Sequence, residues 1–208
     1  IANPIIYGCM DPGASNYNSE AIVEDGSCMN NGPVFHVSTT GNDFFGIGTE
    51  QSPFLTIQAG IDATSEGDSV LVSAGLYYEN IYLNNRNIAL IGEDRETTII
   101  DGGQIGSVFE IFYSNISLID LTISNGFVER ISVGMGGGAG INIADSEILI
   151  QDSFFRDNLI SGNSAWGIAI FANNSIVDIE ETIFFDNNAN DSSLSLINGI
   201  NYQLNLLN

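Results

Sequence analysis

The sequence contains no lysine, and Arg86, Arg95, Arg130 and Arg156 stand alone against 26 Asp and Glu, for a formal net charge of −22. Such a surface repels phosphate backbones and anionic headgroups, so nucleic acid is excluded as a partner and direct membrane insertion is not expected. No apolar run reaches the roughly 20 residues of a membrane-spanning helix. Histidine occurs once, at His36, and cysteine twice, so no His or Cys cluster completes a zinc site. Only 14% of the residues are charged while 44% are hydrophobic. The polar surface must therefore come from Asn, Ser, Thr and Gly, as in a β-solenoid and unlike a disordered acidic tail. The sequence opens on Ile1-Ala2-Asn3-Pro4 without initiator Met or signal peptide and stops at Leu206-Leu207-Asn208 inside a strand pattern. A mature or excised piece, with further coils beyond it, is expected.

What is present is a repeat. Ile150-Gln-Asp-Ser-Phe154-Phe-Arg-Asp-Asn158 overlays Ile179-Glu-Glu-Thr-Ile183-Phe-Phe-Asp-Asn187 at a shift of 29 residues, with looser copies at Asn115–Asn125 and Asn87–Ile100. Short β-branched segments repeating at such a period and punctuated by Asn and Gly describe a solenoid of stacked coils. Strands are expected at 81–83, 88–91, 97–100, 108–112, 116–123, 141–143, 147–155, 168–171, 175–185, 194–197 and 202–206. Ahead of them, Val34–Ser38 reads as a strand. Ser52-Pro53 reads as the N-cap and first position of a helix carrying Phe54, Ile57 and Ile61, which Gly67-Asp68 ends. Residues 34–208 thus form a cap and about five to six coils, preceded by a linker at 31–33 and a small module at 1–30.

The two cysteines, Cys9 and Cys28, bracket that module and are expected to pair, which closes a loop worth on the order of 3 kcal/mol and points to an oxidising, extracytoplasmic setting. Two free or metal-bound thiols are the alternative. The segment Gly8-Cys9-Met10-Asp11-Pro12 to Asp25-Gly26-Ser27-Cys28 resembles a Cys-bracketed repeat of secreted proteins from marine and Bacteroidetes-type bacteria, departing from it at Met10 and Glu24. Asp11, Asn16, Asn18, Glu20, Glu24 and Asp25 offer the hard oxygen donors that Ca²⁺ takes. Asx turns in a solvated acidic loop account for the same residues equally well.

The order strand, Gly-rich loop, Ser-Pro-Phe-x-Thr-Ile-Gln helix, Gly-Asp-x-Val-x-Val strand and Gly75-x-Tyr77-x-Glu79 resembles the N-terminal cap of right-handed parallel β-helix proteins of the pectate-lyase-like superfamily. Gly136-Gly-Gly-Ala139-Gly-Ile141 and the units Phe155-Arg-Asp-Asn158 and Phe184-Phe-Asp-Asn187 are similar to repeats of polymorphic outer-membrane proteins and autotransporter passengers. Both resemblances imply an all-β parallel β-helix with one short capping helix. Phe is expected to stack in register inside the coil, and Asn at a tight corner to pair with the Asn of the next coil.

The resemblance also implies where chemistry would sit. Lyases of this fold use Ca²⁺, Arg or Lys on a uronate, whereas here Lys is absent, His36 stands alone near the cap, and Arg156 faces Phe185 one coil on. Asp152 with Glu181, and Asp157 with Asp186, should stack as like charges, either solvated or able to raise a pKa or hold Ca²⁺. Gly134–Gly140 is not a phosphate loop, since no Lys follows it. The sequence thus supports a secreted or cell-surface solenoid acting as adhesin, stalk or interaction surface towards polysaccharide or cell-surface components. Its rivals are a lyase or hydrolase and a carbohydrate-binding solenoid using Tyr77, Tyr78, Tyr82 or Trp166 as stacking platforms.

Overall fold

The computed structural model describes residues 6, 22–23, 33–129, 137–161, 167–189 and 195–207. Cys9, Cys28, Asp11, Asn16, Asn18, Glu20, Glu24, Asp25, Arg130 and Trp166 lie outside the described residues. From Val34 onward the chain is a parallel β-helix with one short helix.

After β1 (Val34–Val37) and α1 (Ile57–Asp62), the chain passes repeatedly through the same ladders. The first is a seven-stranded sheet of β1, β2 (Ser69–Val72), β5 (Asn87–Gly92), β8 (Asn115–Ile119), β12 (Glu147–Gln151), β16 (Ile176–Glu180) and β20 (Gln203–Leu207). A five-stranded sheet stacks β3 (Gly75–Tyr78), β6 (Thr98–Asp101), β9 (Thr122–Ser124), β13 (Phe154–Arg156) and β17 (Ile183–Phe185). Another stacks β4 (Ile81–Asn84), β7 (Phe109–Phe112), β11 (Ile141–Ala144), β15 (Ile170–Asn173) and β19 (Ile197–Ile200). A three-stranded ladder of β10 (Phe127–Glu129), β14 (Leu159–Ser161) and β18 (Asn188–Ala189) adds a further wall.

Period-2 alternation sends one side chain of each pair inward, so columns of aliphatics run up the core. One such column is Ile88, Ile116, Ile148, Val177 and Leu204; another is Ile81, Phe109, Ile141, Ile170 and Ile197. Phe155 is fully buried and stacks on Phe184 with ring centroids 4.8 Å apart and planes at 20°, as the paired Phe units imply. The repeat is also what sets register. Glu147 pairs with Ile176 and Phe154 with Ile183, both 29 residues apart, whereas Asn115 pairs with Glu147 at 32. Eleven sequence positions separate β10 from β11 and eight separate β14 from β15, which accounts for the difference.

Each corner carries its own side-chain ladder. Asn158 is wholly buried; its Oδ1 accepts Gly126 N at 2.9 Å, and its Nδ2 donates to Asn187 Oδ1 at 2.9 Å and Ile123 O at 3.1 Å. Close coil contact explains the glycines: a Cβ on Gly138 would strike Ile141 O, and one on Gly167, its counterpart one coil on, would strike Ile170 O.

The structure corrects the sequence reading in places. Segments 116–123, 147–155 and 175–185 are each two strands, broken by a single left-handed residue at Asp120, Asp152 and Glu181 with φ of 55°, 47° and 44°. Asp tolerates that conformation at low cost at 120 and 152, and Glu181 adopts it at the equivalent corner, so the bend hides inside an apolar run. Strand 194–197 is displaced to Ile197–Ile200, and strand 168–171 to Ile170–Asn173. The helix is shorter than expected, because Ser52 is held in an antiparallel bridge to Thr49 and Phe54 bridges Val37. Its N-cap is Thr56, whose side chain accepts from Ala59 N, and it is capped at Ala63, ahead of Gly67-Asp68.

Helix α1 sits over the first coil through paired carboxylates. Glu79 accepts Ile57 N and Gln58 N at 2.8 and 3.0 Å, and Asp43 accepts Leu55 N and Thr56 N at 2.7 and 3.0 Å. Burial is the main reason that the Glu79 carboxyl is held above its usual range, with those N–H groups opposing. The Gln58 amide accepts Tyr82 N at 2.9 Å and donates to Tyr82 O at 3.2 Å, taking the place of a strand neighbour for β4.

Candidate functional site

The corner leading into the seven-stranded sheet is built from one tripeptide per coil: Asn85-Arg86-Asn87, Tyr113-Ser114-Asn115, Asp145-Ser146-Glu147, Asn174-Ser175-Ile176 and Asn201-Tyr202-Gln203. The first residue of each is left-handed, with φ between 49° and 54°, and every one is exposed. The third opens the next strand on the outward side. Between these lips the middle residues form the floor of an open groove of about 1100 Å³.

The floor is a serine ladder. Ser114 Oγ donates to Phe112 O at 2.7 Å and accepts Arg86 N at 3.0 Å; Ser146 Oγ donates to Ala144 O at 2.8 Å and accepts Ser114 N at 3.0 Å; Ser175 Oγ donates to Asn173 O at 2.7 Å and accepts Ser146 N at 3.1 Å. These hydroxyls are buried and committed to backbone, so they hold the coils at their spacing and are not free to act as nucleophiles. Along one lip Asn201 Nδ2 donates to Asn174 Oδ1 at 2.7 Å, and Asn174 Nδ2 to Asp145 Oδ1 at 2.6 Å. The lips therefore repeat polar groups at the ~4.8 Å coil spacing. Tyr113 adds a ring that is 64% exposed. Arg86 reaches back to Thr64 O at 3.1 Å and lies 3.9 Å from Asp62.

The neighbouring corner carries Asp120, Asp152 and Glu181 at equivalent positions, confirming that Asp152 and Glu181 share a column. Arg95 lies across it, with Nη1 3.8 Å from Asp152 and 3.0 Å from Glu181 O, and its guanidinium 4.6 Å from the centre of the Phe154 ring. Asp120 is held above the usual carboxylate range by burial first, then by Asp152 and Asp94, with Arg95 opposing. Asp157 and Asp186 likewise match, and Arg156 is taken up by Asp157 at 2.7 Å, facing Phe185 as expected.

Of the aromatic platforms, Tyr77 is removed: it is 3% exposed, its hydroxyl donates to Ser73 O, and burial pushes its phenol up to about 12. Tyr78 and Tyr82 are exposed but belong to different sheets, β3 and β4, and form no single row. His36 is half-buried in β1. Sequence reading missed the groove, although its signal is visible as a polar residue and Ser before an aliphatic strand start, as in Tyr113-Ser-Asn-Ile116 and Asp145-Ser-Glu-Ile148. Among the described residues no group of three or more His, Cys, Asp or Glu is placed to hold a metal ion, and no helix is long and apolar enough to cross a membrane.

The chain is a parallel β-helix with a polar groove along one corner. No protein-family model and no curated protein matches it. Among solved structures it is similar to pectin methylesterase PemA from Erwinia chrysanthemi, at 17% identity and a TM-score of 0.40 over 69% of this chain. The match covers 54% of that enzyme, so the chain spans about half of its length.

Proposed function

We propose that this chain is a secreted or cell-surface binding solenoid that lays an extended glycan along the corner groove and does not cleave it, in the manner of an adhesin or stalk. The observation that carries this reading is the tripeptide corner repeated in register on successive coils. Asn and Gln amides present both a donor and an acceptor, so a row of them matches a polymer of repeating hydroxyls, with Tyr113 as a stacking face. The serine hydroxyls in the floor and the Arg86 guanidinium are engaged elsewhere, which leaves the groove equipped for contact more than for reaction.

One observation favours a second reading, a glycoside hydrolase. Asp120, with its raised carboxyl, shares a column with Asp152, which lies beside Arg95. A carboxyl held above its usual range by burial, close to a second carboxyl group, is the kind of pairing that glycoside hydrolysis uses. Incubation of the chain with a panel of neutral and acidic polysaccharides tests both readings, by following retention together with new reducing ends and unsaturated uronate. Retention without cleavage is expected. Cleavage abolished by Asp120→Asn would replace the binding reading with the hydrolase.

A further inference from the structure

We propose, resting on the binding reading above, that the groove takes an uncharged glycan and turns polyuronates away. Exposed carboxylates line it at Glu66, Asp145 and Glu147, against Arg86 as the single lining cation among the described residues. Arg86 is partly spent on Thr64 O and on Asp62, so it leaves little positive charge for a ligand.

Asp145 and Glu147 stand on opposite lips of the same corner, midway along the groove, so a polymer running its length passes between them. A uronate at every sugar would set like charge against like charge there, beside a surface that already carries −22. An uncharged sugar meets no such repulsion. Ionised carboxylates are acceptors only, and the hydroxyls of a neutral glycan are donors that suit them. The amides at Asn115 and Asn174 continue the same hydrogen-bonding on either side.

The test is affinity electrophoresis of the full chain through gels carrying an uncharged glucan, mannan or xylan, or polygalacturonate, with chelator present so that no divalent cation bridges like charges. Retardation by at least one uncharged polymer and none by polygalacturonate is expected. Tyr113→Ala should weaken that retardation about tenfold, the loss of one stacked ring. Asp145→Asn with Glu147→Gln should move the preference towards polygalacturonate by about tenfold or more at low salt. Asn suits the left-handed position of residue 145 and keeps an acceptor for Asn174, so this variant retains the corner.

Retardation of the parent chain by polygalacturonate would overturn the uncharged-ligand proposal and leave the binding reading standing. An unchanged preference in the double variant would do the same. Failure of every polymer to retard the chain would overturn both, as would retardation untouched by Tyr113→Ala, which would move the site elsewhere.

Discussion

Asn158 ties three successive coils together with one side chain. It has no solvent exposure, and its amide serves Gly126 N and Ile123 O of the preceding coil and Asn187 of the next. Truncation leaves buried backbone groups unpaired, which costs about 1–3 kcal/mol each. Asn158→Ala is therefore expected to lower stability by about 3 kcal/mol in denaturant titration, and Asn187→Ala, half-exposed, by about 1 kcal/mol. Equal losses would show that the ladder does not depend on burial. Asp120 makes a second residue-scale case. Its carboxyl sits above its ordinary 3.8, chiefly through burial, so it binds a proton more tightly folded than unfolded. The stability this contributes is whole below the unfolded value and is lost as the pH rises through the folded one. Asp120→Asn should thus melt higher than the parent at pH 7 and together with it at about pH 3. The reverse order at pH 7 would mean that the contact with Arg95 outweighs desolvation.

At the scale of elements, α1 acts as a substitute strand. An open solenoid end exposes unpaired N–H and C=O groups that recruit other chains. Gln58 meets both at Tyr82. Gln58→Ala should cost about 1 kcal/mol and, more tellingly, produce dimers or larger species in sedimentation velocity as the β4 edge is uncovered. A variant that stays as monomeric as its parent would show that the helix body alone shields the edge. The helix, the coils, the Phe stack and the Asn ladder were legible in the sequence, because Ile, Phe and Asn recur at fixed offsets and each recurrence is a physical contact in the next coil. The corners at Asp120, Asp152 and Glu181 were not, since one left-handed residue bends the chain without a Gly or Pro to mark it. The helix start was misread for a related reason. Ser52-Pro53 has the composition of a cap, yet tertiary pairing of Phe54 with Val37 holds it extended and moves the cap to Thr56. The groove was hidden because its residues are ordinary one coil at a time and line a common groove only when five corners align.

For the molecule as a whole, stability is set by coils that contact their neighbours and by charge that acts across all of them. Stacked coils add their interfaces nearly independently, whereas 26 carboxylates against four guanidinium groups repel over distances that salt controls. The screening length falls from about 30 Å at 0.01 M to about 3 Å at 1 M. Raising NaCl over that range should relieve repulsion by about 1–2 kcal/mol, which for a chain of this size lifts the melting midpoint by about 2–8 °C. The same experiment separates diffuse screening from the Ca²⁺ site expected at Asp11, Asn16, Asn18, Glu20, Glu24 and Asp25. Screening by CaCl₂ would follow ionic strength and match NaCl, whereas a specific site would saturate, raising the midpoint at low concentration by an amount set by mass action. Such a rise, abolished by Asp11→Asn with Asp25→Asn, would assign the metal to the Cys-bracketed segment. If the curves for the two salts coincide at equal ionic strength, the acidic residues of that segment are solvated charge and nothing more.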